Sequence, residues 1–409
     1  MHLLNSAAHQ DANIDRRLFL QATAGTALLT AGNSFFGASA LAEENASEAD
    51  DGSQLFVHSR TPMNAEPPLD MLVESWMTPV ERFYVRSHAP VPRIDTGQFR
   101  LQVVGQVERR LDLSLDDLKN GFTNVSAIAT MTCAGNRRSE HSAVKPVKGV
   151  PWREGAIGNA RWGGVRLSEV LKQAGIRDSA KHVWFEGLDQ IERSGETIPF
   201  GGSIPIQKAL DDTQAMPGAL LTTQMNGKPL TPDHGFPLRL VVPGYIGARS
   251  VKWLGRIVVS NRPSPNHYVA TAYKLVEQGT KLEWAESGPI YRYPINSVIC
   301  TPTTGGKLQA GKAIVAGYAL PPGQAETTIA RVEVSANGGR TWTRANLTST
   351  ARQYCWQLWK AEVPVTPRTT ELLVKATDSH GHTQPATVDW NLKGYLFNAP
   401  HRVQIDVGA

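Results

Sequence analysis

The sequence predicts two domains in succession, a mixed α+β domain followed by an all-β sandwich of immunoglobulin type. Three observations carry this: a short helix among β-rich segments in the first half, a change after about Pro294 to short strands without helices, and 409 residues of chain, enough for two or three cores. In the first domain, Leu167 to Ala174 (LSEVLKQA) sets Leu167, Val170 and Leu171 at helical spacing, with Ser168 near the start and Gly175 as the stop. His182 to Glu186, Phe236 to Val242 and Val251 to Val259 are rich in β-branched and aromatic residues and read as strands. In the second domain, Ala313 to Leu320, Ala330 to Ser335, Trp342 to Asn346, Cys355 to Val363 and Leu372 to Thr377 read as strands. Val332 and Val334 alternate with Arg331, Glu333 and Ser335, and Asn337-Gly338 marks a hairpin turn. Five or more short strands without a helix make the sandwich. The expected bounds are 80–285 and 286–409, with 43–79 as a flexible lead-in because Glu43 to about Ser59 is acidic and poor in apolar residues.

Composition narrows the function. Hydrophobic residues at 41% and charged residues at 19% exclude disordered, collagenous and coiled-coil classes. Lys+Arg 42 against Asp+Glu 37 gives +5 with no basic block, so no nucleic-acid partner is expected, while an anionic small substrate stays open. Cys133, Cys300 and Cys355 show no CxxC, CxxCH or paired metal spacing. A disulfide framework, a zinc finger and covalent c-type haem are therefore excluded, and redox chemistry would need another cofactor.

Residues 1–42 read as a leader. Arg16-Arg17-Leu18-Phe19-Leu20 follows a polar start, an apolar stretch runs from about Leu18 to Leu29, and Ala40-Leu41-Ala42 supplies a small-x-small cleavage site. This looks like a twin-arginine signal, with Asp15 where Ser or Thr is usual and Gln21 where Lys is common. The stretch is broken by Thr and Gly and is shorter than the roughly 20 residues of a span. Removing 1–42 takes away Asp11, Asp15, Arg16 and Arg17, which leaves the net charge unchanged. The expectation is a periplasmic protein exported folded, with a cofactor loaded beforehand and no membrane span in the mature chain.

The informative segment is Ala129 to Glu140 (ATMTCAGNRRSE). A lone cysteine before Ala-Gly leaves room for a bulky ligand at sulfur, and Arg137 and Arg138 would stabilise a thiolate and an anion together. A buried free cysteine in a loop is the alternative. Phe83-Tyr84-Val85-Arg86-Ser87-His88 precedes the segment; Asp233-His234-Gly235-Phe236-Pro237-Leu238-Arg239 and Gly247 to Leu254 (GARSVKWL) follow it. Together these resemble the sulfite oxidase family of molybdopterin enzymes, over roughly residues 80 to 409.

The resemblance implies a molybdenum-molybdopterin cofactor (Moco) in an α+β molybdopterin domain of sulfite oxidase type, followed by an immunoglobulin-like dimerisation domain. It implies Cys133 as the thiolate ligand of molybdenum, a soft donor suited to such a centre. Arg86 and Arg138 are implied as the anion site, whose two forks suit sulfite. Tyr84, Arg86 and His88 would line the pterin, Asp189 would contact it, and His234, Arg239, Ser250, Val251 and Lys252 would hold its phosphate and ring. Tyr273 matches the family's active-site tyrosine, and Trp152 the indole that walls the substrate pocket. Core packing is the alternative for both rings. Lys393, in Trp390-Asn391-Leu392-Lys393-Gly394, departs from the family, which has arginine there. It keeps charge without the bidentate fork, which opens a sulfane or thiosulfate-derived group on a carrier protein as an alternative substrate.

The implied function is a periplasmic sulfite dehydrogenase, oxidising sulfite to sulfate and passing electrons singly to a separate c-type cytochrome, with no haem in this chain. Nitrate reductase would need fused haem and flavin modules. A non-catalytic periplasmic binding protein is the alternative from another class. Thr304-Gly305-Gly306-Lys307 lacks the full phosphate-loop pattern and reads as a turn, as does His380-Gly381-His382. Cys300 and Cys355 read as core thiols. Tyr318, Trp342, Tyr354, Trp356, Trp359 and Trp390 are more aromatic surface than the sandwich core needs, which favours a homodimer, the alternative being a monomer in which these rings fill the sandwich and its seam with the first domain.

Overall fold

Residues 55–212 and 216–408 are described in a computed structural model of the chain. The leader expected at 1–42 and the first part of the lead-in lie outside the described residues. The rest of the lead-in is not flexible. Leu55 onward is folded: β1 (Phe56–Arg60) and β2 (Met63–Glu66) form a hairpin, and β2 pairs with β3 (Val85–Arg86). Asn64, Ala65 and Glu66 are buried, because their polar groups find partners far along the chain rather than in water.

Two five-stranded sheets build the first domain. One runs in the order Gly201–Pro205, His182–Gly187, Leu254–Ser260, Leu101–Gly105, Leu111–Leu113. Its inward residues, among them Val103, Phe185, Ile204 and Ile257, pack on the helix Leu167–Ala174, whose Leu167, Val170, Leu171 and Ala174 are all fully buried. That helix is the one expected. It is amphipathic, and Gly175 ends it at φ 71, a conformation open to glycine.

The other sheet runs Lys228–Pro229, Leu220–Met225, Ile157–Arg166, Asn124–Thr132, with Arg239–Val241 also paired to Leu220–Met225. Asn124–Thr132 and Ile157–Arg166 pair antiparallel from Asn124↔Val165 to Thr132↔Ile157. The chain between them therefore starts and finishes at one end of the sheet, with Cys133 its first residue. Within it, the helix Arg138–Val144 follows Arg137, whose φ of 67 turns the chain sharply.

The second domain is a sandwich. One sheet is Asn296–Thr301, Gly311–Leu320, Gln357–Val365, Asn346–Leu347; the other is Gly306–Gln309, His401–Gly408, Glu371–Asp378, Ile329–Ser335, Thr343–Arg344. Their inner faces meet in a core that includes Val315, Val332, Val334, Trp359, Val374 and Val403. His401–Gly408 alternates buried and exposed along its whole length, as a strand with one wet face must. The expected strand Trp342 to Asn346 is split into two short ones, with buried Ala345 at the break. Gly306 opens a strand after the Thr304-Gly305 turn, and His380 to His382 is an exposed turn. Cys300 and Cys355 are free, buried thiols, and burial pushes Cys355 up to about 12. No helix among the described residues is long and apolar enough to cross a membrane.

The aromatic residues of the sandwich have partners within the chain, which corrects the reading of them as interface surplus. Trp359 fills the sandwich core. Tyr318 and Trp356 lie in the seam with the first domain, where Tyr318 Oη donates to Glu154 O at 2.8 Å and Trp356 Nε1 to Trp76 O at 3.0 Å. Tyr354 reaches the first domain at Gly244, Trp390 Nε1 donates to Lys145 O, and the Lys375 ammonium lies 3.9 Å from the Trp342 ring centroid.

Candidate active site

Cys133 is delivered to the end of its sheet, and its thiol lines a cavity open to solvent. The backbone N–H of Gly135 points to Sγ at 3.4 Å. Tyr84, Arg86, His88, Asp189, His234, Arg239, Ser250, Lys252 and Tyr273 line the same cavity. They come from five separated segments of the chain, so the fold assembles what the sequence scatters.

The basic side of the cavity is built from groups held by backbone carbonyls. Lys252 Nζ donates to Ser87 Oγ at 2.7 Å and to Asp233 O at 2.9 Å. Arg239 donates to His234 O at 2.9 Å and Ser250 O at 3.1 Å. Burial, followed by the charge of Arg239, lowers Lys252 to about 7; burial lowers Arg239 to about 10. His234 accepts a partner only at Nδ1, Thr231 Oγ1 at 2.7 Å, while its buried Nε2 has none among the described residues. Burial first, then Arg239 and Lys252, pulls His234 down to about 3, so the ring is neutral. An orphaned buried nitrogen beside an arginine and a lysine is a site shaped for an anionic, hydrogen-bonding group.

Beside it lies a polar relay. His88 Nε2 is 2.9 Å from Arg86 Nη2 and 3.1 Å from Tyr273 Oη. A guanidinium only donates, so Nε2 is the acceptor and the neutral ring carries its proton on Nδ1. Burial and then the Arg86 charge hold His88 well below its ordinary value, in keeping with that neutral ring. Tyr273 has φ 45 and stacks on Tyr395 at 5.3 Å; burial raises its phenol, so it remains a hydrogen-bond donor at neutral pH. Asp189 Oδ1 accepts from Phe200 N–H at 3.1 Å, and burial raises its carboxyl.

Four expected residues do not line this cavity. Val251 turns its side chain into the hydrophobic core while Ser250 and Lys252 face the cavity, as neighbours along an extended chain must. Trp152 is fully buried, edge-on to His58 at 4.9 Å and to Tyr84 at 6.4 Å. Arg138 is buried, with its guanidinium over the Tyr395 ring at 5.2 Å, Nε donating to Lys393 O at 2.9 Å and Nη1 to Val150 O at 2.7 Å. The Lys393 ammonium is directed to the Trp284 ring at 5.4 Å, and burial, then the charges of Arg193, Arg138 and Lys148, lowers its pKa. Arg137 does not share the anion role either. It is fully buried, pairs with Glu140 at 2.5 Å, and donates to Asn296 Oδ1 and Ala399 O, pinning the two domains. Sequence reading missed Ser87, Asp233, Met131 and Phe200 as lining residues. Ser87 sits inside the Phe83 to His88 motif and Asp233 beside His234, so adjacency was a usable signal; Met131 and Phe200 gave none.

The fold and the site define a molybdopterin-dependent oxidoreductase. The oxidoreductase molybdopterin-binding domain matches residues 88–268, and the Mo-co oxidoreductase dimerisation domain matches residues 287–408. The chain is 42% identical over 367 residues to the mitochondrial sulfite oxidase of Rattus norvegicus, covering 86% of this chain and 66% of that one. It is 36% identical over 378 residues to the sulfite oxidase of Arabidopsis thaliana, covering 87% of this chain and 94% of the relative. The sulfane dehydrogenase SoxCD of Paracoccus pantotrophus shares the fold, with a TM-score of 0.73 at 24% identity over 92% of this chain and 96% of that one. The chain belongs to the sulfite oxidase family, and its cofactor is molybdenum-molybdopterin.

Proposed function

We propose that this protein oxidises sulfite to sulfate and hands the electrons singly to an external c-type cytochrome. The observation that carries the reading is the convergence of the Cys133 thiol and the Arg86 guanidinium on one cavity whose opposite wall is an anion cradle. Cys133 would ligate the metal, and His234, Arg239, Ser250 and Lys252 would hold the anionic part of the pterin, with Asp189 and His88 as polar contacts. When bound, the cofactor supplies oxygen-atom transfer to sulfur and accepts two electrons.

The chain's own residues do the rest. Arg86 attracts and orients the anionic substrate, and its fork favours a trigonal oxyanion. Tyr273, kept protonated by burial, directs its one Oη hydrogen to His88 Nε2, which fixes the phenol against the cavity beside Arg86. Arg138 adds positive charge felt at His88 and fastens the segment carrying Lys393. Lys393 directs its ammonium to Trp284 and lies outside the cavity lining, so a second cationic fork is missing there, which favours, as a second reading, a sulfane group carried on a protein. The dimerisation domain supports a homodimer, and the twin-arginine leader supports a periplasmic location. Steady-state assays of the molybdenum-loaded protein test the reading: sulfite-dependent reduction of cytochrome c supports it, and turnover only of a protein-bound sulfane selects the second.

A further inference from the structure

The β1–β2 hairpin lies outside both matched domains, yet it grips the anion site. In the β2–β3 pairing Asn64 stands opposite Arg86. Its Oδ1 accepts from Arg86 Nη1 at 3.0 Å and from the Ser87 N–H at 3.2 Å. Its amide nitrogen donates to Ser59 Oγ and to Pro62 O, both at 2.9 Å. The end facing a guanidinium and a backbone N–H has to be the oxygen, so the network fixes the amide's orientation. Asn64 is 2% exposed, and both ends of its side chain are used, one on the hairpin turn and one on the guanidinium. The hairpin is itself clamped to the domain by Glu66, which accepts from Arg153 N–H at 2.9 Å and Gly155 N–H at 2.8 Å.

The rest of Arg86 is then accounted for. Nη1 also donates to Ser87 O, and Nη2 meets His88 Nε2 at 2.9 Å. Among the described residues nothing accepts from Nε, and Nη2 has a second hydrogen to spare. These two nitrogens share one edge of the guanidinium, the edge a trigonal oxyanion pairs with.

We propose that Asn64 is a positioning residue of the anion site, holding Arg86 by its Nη1 side so that the Nε/Nη2 edge is presented to substrate. This rests on the assignment of Arg86 to substrate binding made above. A free arginine side chain loses rotamer freedom on binding, and a pre-set fork does not, so the contribution falls on affinity. The hairpin acts on the reaction although none of its residues touches the cavity.

A double-mutant cycle on holoenzyme of measured molybdenum content tests this: Asn64→Ala, Arg86→Gln and the double variant, with kcat and KM for sulfite. The expected result is a KM raised about fivefold or more by Asn64→Ala with kcat within twofold, and no further rise when Asn64→Ala is added to Arg86→Gln. Additive effects on KM, or an unchanged KM in Asn64→Ala with a raised one in Arg86→Gln, overturn the positioning role alone. An unchanged KM in Arg86→Gln overturns the substrate assignment and this inference with it. If Asn64→Ala does not load cofactor, Ser59→Ala, which removes one anchor of Asn64 together with the Ser59 Oγ bond to Pro62 O and leaves Asn64 itself in place, decides. A smaller rise that vanishes in the Arg86→Gln background supports the role, and no rise overturns it.

Discussion

Arg138 Nε donates to the backbone carbonyl of Lys393 at 2.9 Å, tying the loop after Cys133 to the segment before the last strand. Gly149 and Gly394 make this possible. A Cβ on either would approach Arg138 to 3.0 and 2.8 Å, and both have positive φ. Arg138 is therefore both a charge near the cavity, where it helps lower His88, and a fastener.

Arg138→Gln is expected to raise KM for sulfite about tenfold or more and to lower the thermal midpoint, because the partly buried carbonyls of Val150 and Lys393 lose a donor. Arg86→Gln is expected to raise KM similarly, since a charge-assisted hydrogen bond is worth roughly 1.5–3 kcal/mol, and to lower the midpoint as well, because Asn64 Oδ1, Ser87 O and His88 Nε2 lose their donor. Kinetics and calorimetry on both variants check this; an unchanged KM in both would put the anion site elsewhere.

Lys393→Arg restores a bidentate fork. If free sulfite is the substrate, its KM is expected to fall, because a guanidinium reaches farther than the ammonium now directed to Trp284. A rise in KM would favour the carrier-bound sulfane reading.

Cys133→Ser is expected to abolish turnover while pterin stays bound, since His234, Arg239 and Lys252 are untouched and a hydroxyl is harder and less easily ionised than a thiol. Pterin fluorescence after denaturation and a sulfite assay check both halves. Full activity in the serine variant would remove Cys133 from the ligand set.

Acid should destabilise the cofactor-free protein. His88 and His234 are neutral in the fold, His234 with a value near 3, while an unfolded histidine titrates near 6.5. Below about pH 6.5 the unfolded chain binds more protons than the native one, so this stability is fully present above that pH and is lost as pH falls towards 3. The thermal midpoint is expected to drop between pH 7 and 4, less steeply in His234→Gln. A flat profile for the unaltered protein would contradict the buried neutral ring.

A homodimer is expected from the dimerisation domain, not from the aromatic residues, which the sandwich core and the interdomain seam absorb. Light scattering at micromolar concentration should give twice the mass of one chain; the mass of one chain would refute it.

What was legible in the sequence was local. The lone Cys133 near Arg138, and the segments at Phe83 to His88, Asp233 to Arg239 and Gly247 to Leu254, were joined into one site by their combined resemblance to the sulfite oxidase family, since local chemistry alone left Cys133 open as a buried free thiol. The helix Leu167–Ala174 announced itself by periodicity. Asn124–Thr132 and Ile157–Arg166 gave no alternation to read, since their inner lengths are buried on both faces. The β1–β2 hairpin was hidden for a different reason: Glu66 is a buried carboxylate whose two backbone partners lie 87 and 89 residues away. Arg137 and Arg138 are adjacent and alike in sequence, and only the turn at Arg137 sends one to the seam and the other to the carbonyls of Val150 and Lys393.

The most direct test of the account is the rate of sulfite-dependent ferricyanide reduction measured against molybdenum content across several preparations of the purified protein. The account predicts turnover proportional to molybdenum and extrapolating to about one metal per fully active chain. Fully loaded protein that does not oxidise sulfite would contradict it.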